Sequence, residues 1–419
     1  MTPRDRKEPT WMQELRAKAQ ERFDGMSWPA TSDEEWRRTD VSGIDALSFR
    51  PTMTGRDGGT PGTGGSTGFA GTLKLDAGRP VESSIAEQWR TRGVRLLSLD
   101  DALEEFEKPL GDVFDEGIDA ADNRFAVWHF AAWSHGAFLF VPAGLEIAEP
   151  FFIDFMEKGS GVLSSPHVVV VLGEGARASV IQRIDGDPAA ADERILCNAG
   201  VDLMLSDASA LQYSEAQQLG PQSLYFRHAR TRGGRDSSLR HFDAALGGGL
   251  VKTRIDCGLA GKGSEAYLNG VYFCRAGQHM DIRTVQRHHS PSATSRAYYK
   301  GAVASGGRTV FQGLIEVDPG ASGTDAYLTN RNLVLGDGAR SDSIPTLRIG
   351  NNDVRCSHGS TTGRLSEEEL FYLESRGLSL AEAREMLVIG YFEDLLDHAP
   401  EVYRETTLER IRSRLAHAA

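Results

Sequence analysis

The stretch over residues 168–182 reads Val168-Val169-Val170-Val171-Leu172, then Gly173-Glu174-Gly175-Ala176, then Arg177-Ala178-Ser179-Val180-Ile181-Gln182. Two short runs rich in β-branched residues flank a turn with two glycines, and the spacing is not helical. A glycine is favoured where a sharp corner needs a positive φ, which other residues adopt only at a cost. The stretch therefore predicts two strands joined by a tight corner.

The same sequence pattern extends over residues 125–355, where short apolar runs alternate with glycine-containing turns. Such a pattern is compatible with a β-sandwich, a β-propeller or a parallel β-solenoid. The runs begin at irregular intervals without a fixed sequence repeat, which counts against propeller blades. Corners of the form Gly-x-Gly-Ala suit a coil that turns sharply between strands. The sequence therefore predicts a mainly β protein with a parallel β-helix over 125–355.

Both ends of the chain carry helical patterns. Residues 1–124 are predicted to be a mostly helical region with a glycine-rich linker near 55–68, which has almost no apolar residues. Ser32 precedes Glu35 by three positions, a capping-box spacing that predicts a short helix over 34–38. Two more capping boxes, at 366–369 and 379–382, predict that residues 356–419 form a C-terminal helical domain.

Composition excludes several classes of function. The 419 residues include 46 Lys and Arg and 59 Asp and Glu, which gives a net charge of −13. An acidic chain does not suit general nucleic-acid binding, and no apolar run approaches the roughly 18 residues of a membrane span. The N-terminus lacks the apolar segment of a signal peptide, and the four cysteines form no CxxC pair. We therefore expect a cytoplasmic protein that binds neither nucleic acid nor membrane.

The segment Asn351-Asn352-Asp353-Val354-Arg355-Cys356-Ser357-His358-Gly359-Ser360 is the most distinctive in the chain. Cys356 and His358 are two positions apart, so on a strand both side chains point to one face. A thiolate and an imidazole in that arrangement suit iron or zinc, although two ligands do not complete a site. The alternative is a buried cysteine beside a histidine that is hydrogen-bonded to the backbone.

Three further histidines, His279, His288 and His289, fall within eleven residues. They predict either a metal or proton-transfer site, or side chains that line the turns of a solenoid. Phosphate-binding loops, dinucleotide fingerprints, nucleophile elbows and HExxH motifs are absent from the sequence. We therefore expect a chain without catalytic residues, which is not an enzyme.

Several motifs together resemble the SufB/SufD family of scaffold subunits for iron–sulfur cluster assembly. The strongest are Asp353-Val354-Arg355-Cys356-Ser357-His358-Gly359, Gly363-Arg364-Leu365, Leu370-Phe371-Tyr372-Leu373 and Ser375-Arg376-Gly377. Upstream, Gln278-His279-Met280-Asp281, Lys300-Gly301 and Glu35-Trp36-Arg37-Arg38-Thr39-Asp40 also match. The Cys-Ser-His-Gly form is similar to SufD-type chains, whereas SufB-type chains carry an E-H-E-A-like stretch there. Ser360 departs from the family, which more often has Ala.

The resemblance implies a right-handed parallel β-helix between helical ends, in a complex with a SufB-type subunit and two copies of the SufC ATPase. It implies that His358, with Cys356 less firmly, contributes to a nascent, transient iron–sulfur cluster at the interface with the SufB-type chain. SufC is expected to dock on the C-terminal helices. The residues predicted to contact partners are Leu370, Phe371, Leu387, Tyr391 and Phe392.

Three alternatives remain open at this point. The chain could be a SufB-type scaffold, could form a homodimer, or could be a β-helix enzyme that acts on polysaccharides. The length and the Cys-Ser-His-Gly string count against the first, and the missing secretion signal counts against the third. The sequence carries no motif that decides whether the assembled complex binds a flavin.

Overall fold

The structure is a computed structural model, and it describes residues 8–52, 68–190 and 192–416. Its N-terminal part combines helices with short strands. The predicted glycine-rich linker lies almost entirely outside the described residues. The elements are α1 (Thr10–Gly25), β1 (Arg50–Pro51), β2 (Gly71–Asp76), β3 (Arg79–Ile85), α2 (Glu87–Arg90), β4 (Arg95–Ser98), α3 (Leu99–Glu105), α4 (Glu107–Ala120) and α5 (Arg124–Ala132).

Seventeen consecutive strands follow, separated by short corners and one 3-10 turn. They are β5 (His135–Val141), β6 (Phe151–Glu157), β7 (Val162–Ser164), β8 (Pro166–Leu172), β9 (Arg177–Gly186), β10 (Ile195–Leu205), β11 (Ala210–Gln218), β12 (Leu224–Gly233), β13 (Ser238–Ala245), β14 (Leu250–Leu259), β15 (Glu265–Cys274), β16 (His279–His288), β17 (Thr294–Val303), β18 (Arg308–Val317), β19 (Thr324–Val334), β20 (Arg340–Ile349) and β21 (Val354–Arg364).

These strands form two sheets, which we call sheet A and sheet B. In the main path of sheet A the order is β20-β18-β16-β14-β12-β10-β8-β5-β4, and in sheet B it is β21-β19-β17-β15-β13-β11-β9-β6-β2-β3. Successive strands from β8 to β21 alternate between the two sheets, and each pairs in parallel with the strand two positions away. The chain is therefore a parallel β-solenoid, as the sequence predicts.

The solenoid encloses a core built from alternate residues of both sheets. Val180, Leu203, Leu268 and Phe311 are examples, and each has at most 1% of its surface exposed. The corners use glycine where the chain turns sharply: Gly175, in the corner between β8 and β9, has φ +66°. A positive φ at this point explains why the pattern needs glycine there.

The outer face of sheet A is covered by the N-terminal helices. Trp36 stacks on Phe125 of α5 with ring centroids 5.4 Å apart, and Phe125 stacks on Phe226 of β12 at 3.9 Å. Beyond its 3-10 turn (Glu34–Trp36), the chain does not form the helix predicted over 34–38. Asp33 occupies the N-cap position, but its carboxylate accepts from the Ala30 N–H at 2.9 Å and does not cap the turn. The burial of Trp36 and Thr39 against sheet A draws the chain out of helical conformation.

Two helices, α7 (Leu380–Leu396) and α8 (Glu401–Ala416), cover the outer face of sheet B, and α6 (Glu367–Ser375) packs on α7. Ser366 and Ser379 cap α6 and α7 as their capping boxes predict, and the reciprocal bond to Glu382 is present at the second. The parallel strands continue through Arg364, so the strand β21 extends past the boundary predicted at 355. None of the helices in the described part of the chain has the length and apolarity that crossing a bilayer requires.

Candidate functional site

The last turn of the solenoid leaves two strand edges unpaired. Among the described residues, β20 pairs only with β18, and β21 pairs only with β19. An unpaired edge presents a row of free N–H and C=O groups that another strand can join. The C-terminal end of the solenoid is therefore open to pairing with a further chain.

Register places both predicted metal ligands at this open end. Cys356 pairs with Ala326 and His358 with Leu328, and both partners on β19 are 1% exposed in the solenoid core. Because side chains alternate along a strand, Cys356 and His358 continue the interior rows to which these core residues belong. The prediction that they share one face is confirmed, and that face is the interior one, exposed only because no further turn covers it.

Sheet A exposes its interior rows in the same way. Leu347 continues the row of Ile315, and Ile349 continues the row of Val317. Their exposures are 37% and 41%, whereas Ile315 and Val317 are buried. The open end thus presents apolar side chains from sheet A beside a thiol and an imidazole from sheet B. Exposed core-like surface of this kind is typical of an interface.

Cys356 is half-buried and free of any disulfide. Burial raises the pKa of its thiol above the ordinary value, and the backbone of Ala326 opposes that rise by a hydrogen bond. The thiol borders a shallow depression of about 440 Å³, together with Arg296, Tyr327 and Arg355. A metal ion that displaces the proton would overcome the raised pKa, since coordinated thiols are deprotonated.

The imidazole of His358 is exposed and makes no hydrogen bond within the described residues. Its imidazole is therefore available to a ligand, and with Cys356 it offers the nitrogen and sulfur donors that iron and zinc accept. In residues 8–52, 68–190 and 192–416, no group of three His, Cys, Asp or Glu side chains could hold a metal ion. Further ligands would have to come from another molecule.

The other cysteines are buried and inert. Cys197, Cys257 and Cys274 lie inside the solenoid, and burial raises the pKa of Cys257 and Cys274 to about 12. A thiol of this kind stays protonated and does not react. Cys356 is the one cysteine whose side chain reaches the surface at the open end.

The structure does not bring His279, His288 and His289 together in one site. The ring of His279 contacts Thr39 at 2.9 Å, that of His288 contacts Ser295 at 2.8 Å, and that of His289 contacts Asp318 at 2.8 Å. His279 faces outward, whereas His288 continues an interior row at the other end of β16. The structure therefore supports the reading in which these residues line the turns, and the predicted metal or proton-transfer site is not formed.

A buried histidine pair, which sequence reasoning missed, joins α5 to sheet A. His129 Nδ1 lies 2.7 Å from the Asn198 carbonyl and Nε2 lies 2.7 Å from His167 Nδ1, while His167 Nε2 lies 3.0 Å from Asp202. A Cβ on Gly200 would stand 2.2 Å from His129 Nε2, so glycine is needed there. All four ring nitrogens have partners within the chain, which makes the pair a structural clamp. No local sequence signal connects residues so far apart.

The five predicted partner-contact residues differ in exposure. Phe371 is 73% exposed, and Leu370 and Leu387 are half-buried. Tyr391 is half-buried, with the Lys300 ammonium 4.8 Å from its ring centroid. The prediction for Phe392 needs correction: its side chain is fully buried between α7 and sheet B and cannot reach a partner.

Sequence reasoning also missed three exposed apolar residues on the same helices, Tyr372, Leu380 and Met386. The apolar run over 386–392 was expected to pack inward on one face and to meet a partner on another, but its pattern did not show which residues belong to which face. The signal that could have found the exposed side was the aromatic pair Phe371-Tyr372 directly after an acidic helix start. Adjacent side chains on a helix point about 100° apart, so a narrow buried face does not hold two large neighbouring rings.

Comparisons with known protein sequences point to one family. The family model described as SUF system FeS cluster assembly, SufBD core domain, matches residues 155–391. An iron–sulfur cluster assembly SufBD family protein of Mycobacterium bovis is 32% identical over 295 residues, which are 68% of this chain and 72% of the relative. Similar proteins of Mycobacterium leprae (30% over 303 residues; 70% and 75%) and Staphylococcus epidermidis (25% over 323 residues; 77% and 69%) carry the same family name. The chain therefore belongs to the SufB/SufD family of iron–sulfur cluster assembly proteins.

Proposed function

We propose that the chain is a SufD-type, non-catalytic scaffold subunit that helps to build iron–sulfur clusters together with a SufB-type subunit. The observation that carries the proposal is the open end of the solenoid, where Cys356 and His358 lie beside two unpaired strand edges. The Cys-Ser-His-Gly string at this position supports the SufD-type assignment. We propose a cytoplasmic location, which is the compartment that four free cysteines suit.

The SufB-type partner would join the open end by pairing its strands with β20 and β21. Such pairing would bury the exposed Leu347 and Ile349 and satisfy the free backbone groups of both edges. It would also bring partner thiolates or carboxylates next to His358 and Cys356. The nascent cluster, as cargo, would then be held by ligands from both chains, and neither chain alone would retain it.

The SufC ATPase would dock on the exposed apolar side chains of α6 and α7, which include Phe371, Tyr372 and Met386. Lys300 of β17 links α7 to sheet B, because its ammonium donates to the Tyr391 carbonyl at 2.5 Å and to Asp394. Movement of the helices on ATP binding would therefore reach the solenoid through this contact. A hinge-type shift of that kind would open the interface and release the cluster.

The test replaces His358 with Ala in the complex assembled with SufB-type and SufC subunits. Iron and acid-labile sulfide per complex should fall severalfold, because one ligand is lost. Ser357→Ala is the matched control, since Ser357 is exposed on the same strand but points to the opposite face. Wild-type iron and sulfide in the His358→Ala complex would contradict the proposal. Retention of a full cluster by the chain alone would do the same.

A further inference from the structure

A small pocket on the outer face of sheet A is lined by four arginines from three separate parts of the chain. Arg37 and Arg38 follow the 3-10 turn near the N-terminus, Arg283 belongs to β16, and Arg348 belongs to β20. The pocket encloses about 200 Å³. That is below the roughly 300–1,000 Å³ of sites for drug-sized ligands, so the pocket suits a small ligand.

The pocket is held in shape by the segment over residues 33–40, which we call the N-terminal strap. Trp36 of the strap is 4% exposed and stacks on Phe125. Gln312 of β18 donates to the Glu35 carbonyl at 3.0 Å, and Lys252 donates to the same carbonyl at 3.2 Å. Arg37 and Arg38, which follow in the strap, therefore extend from a backbone that these contacts hold in place. The site is formed before a ligand binds.

The carboxylates nearest to the pocket do not neutralise it. Three of the arginines form ion pairs, but each pair is long, between 3.5 and 3.9 Å. The pairs are Arg38 with Asp342 at 3.8 Å, Arg283 with Glu35 at 3.5 Å and Arg348 with Glu316 at 3.9 Å. In each case the same carboxylate lies closer to an arginine outside the pocket. Asp342 is closer to Arg340, Glu35 to Arg254, and Glu316 to Arg287. These acids are thus shared, and their main partners lie elsewhere.

Donors in the pocket remain unused. Arg37 makes no ion pair or hydrogen bond within the described residues, and the buried Nε–H of Arg283 has no acceptor. Glu34 also lines the pocket, but it is exposed and forms no ion pair in the described part of the chain. Four arginine side chains therefore line one small space, two of them (Arg37 and Arg348) exposed, with a single unengaged acid beside them.

We propose that this four-arginine pocket binds a phosphate group, either as the free ion or as the end of a small phosphorylated molecule. Guanidinium groups recognise oxyanions through paired N–H donors and a charge that persists at all ordinary pH values. Four of them, converging from the strap, β16 and β20, match a tetrahedral anion with several acceptor oxygens better than a planar carboxylate. A bound phosphate would connect the strap to β20, the edge strand of sheet A.

The experiment titrates inorganic phosphate into the full-length chain by calorimetry, at ionic strength held constant with sodium chloride. We expect saturable binding at one site and a rise in melting temperature, because a ligand that binds only the folded state stabilises it. Arg37→Gln and Arg348→Gln should each weaken binding about tenfold, and Glu34→Gln should strengthen it. Arg235→Gln is the matched control, since Arg235 is 61% exposed and lies at a solenoid corner outside the pocket.

A second titration with glycerol phosphate distinguishes the two sources of the group. Tighter binding of the ester supports a phosphorylated molecule as the natural ligand, and tighter binding of the free ion supports phosphate itself. Either order agrees with the site. The proposal is overturned if neither probe gives saturable binding, or if Arg235→Gln weakens binding as much as Arg37→Gln does, since the attraction would then be a general surface effect.

Discussion

At the scale of single residues, Leu328 and His358 occupy equivalent positions one turn apart in sheet B. Leu328 is 1% exposed, whereas His358 is exposed. Leu328→Ala should lower the free energy of unfolding by roughly 2–5 kcal/mol, because it leaves a cavity in the core. His358→Ala should change it by less than about 0.5 kcal/mol. Urea denaturation of both variants of the isolated chain checks this, and a large loss for His358→Ala would mean that the end is not open.

How much of the site the sequence could predict follows from the same two residues. Alternation along a strand was sufficient to place Cys356 and His358 on one face. It could not show that this face continues the interior of the solenoid, because that depends on register with a strand some thirty residues away. Nor could it show that the row of interior side chains ends at β21, because a strand lies at an edge only when no further strand pairs with it.

At the scale of elements, Tyr272 of β15 ties three neighbouring strands of sheet B together. Its ring lies over Gly301 of β17, and its hydroxyl contacts Asn332 and Asn330 of β19, with the latter amide donating at 2.9 Å. A Cβ on Gly301 would stand 1.9 Å from the ring. The family motif Lys300-Gly301 thus has a packing reason that no local pattern reveals.

Gly301→Ala should therefore destabilise the chain by roughly 1–3 kcal/mol or more, because the added methyl group displaces the Tyr272 ring. The matched control is Gly363→Ala in β21, where a Cβ would meet no atom within 4 Å. The control should be neutral within about 0.5 kcal/mol. Thermal unfolding of both variants provides the measurement. Equal melting temperatures for the two would contradict the close packing of Tyr272 on Gly301.

The C-terminal helices show what helix patterns can and cannot reveal. Capping boxes fixed the starts of α6 and α7 because they act through local hydrogen bonds. The same pattern at Ser32 was misleading, since the contacts of Trp36 override local preference there. The buried position of Phe392 was also out of reach, because α7 is apolar on more than one side and only its packing on sheet B shows which side is covered.

The exposed side of these helices gives a docking prediction. Phe371→Asp should abolish co-purification of the SufC ATPase, because a charge replaces an apolar side chain that is 73% exposed. The fold should survive, since no core contact is lost. Leu47→Asp is the control, as Leu47 is 59% exposed near the N-terminus. If SufC still binds the Phe371→Asp chain as it binds the control, the docking surface lies elsewhere.

At the scale of the whole molecule, burial makes stability depend on pH. It lowers the pKa of His228 and His241 to about 3 and that of His279 and His288 to about 4. Unfolding returns each to about 6.5, so between pH 6.5 and 4 the unfolded chain binds more protons than the folded chain. The free energy of unfolding should be highest above pH 6.5 and should fall on acidification.

Each of these histidines contributes up to roughly 1.4 kcal/mol per pH unit in that range. Asp243 acts in the opposite direction, because burial raises its pKa to about 6, and Asp185 acts in the same sense as Asp243, since burial raises its pKa too. The buried His129, whose pKa burial lowers, adds to the effect of the other histidines. Urea denaturation at pH 7, 6 and 5 measures the slope. His241→Phe should reduce the slope because it removes one of these titrating rings. The change breaks no hydrogen bond, since the ring nitrogens of His241 have no partner in the core. Constant stability from pH 7 to 5 would contradict the burial of these rings.

The whole-molecule fold was accessible from sequence because corners and strands alternate over more than two hundred residues. The division into two sheets was not, because it depends on which strands pair. The N-terminal part also contributes more to the sheets than its helical pattern indicates: β2 pairs in parallel with β6, and β4 pairs antiparallel with β5. These strands begin the stack that ends, unpaired, at β20 and β21.

We propose that another chain completes this end of the solenoid. Amide hydrogen exchange of β20 and β21 tests it most directly, in the isolated chain and in the complex with the SufB-type subunit. We predict that the outward-facing amides of both edge strands exchange quickly in the isolated chain and become strongly protected in the complex, while β12 and β14 are unchanged. A complex that forms without any added protection at β20 and β21 would contradict the account.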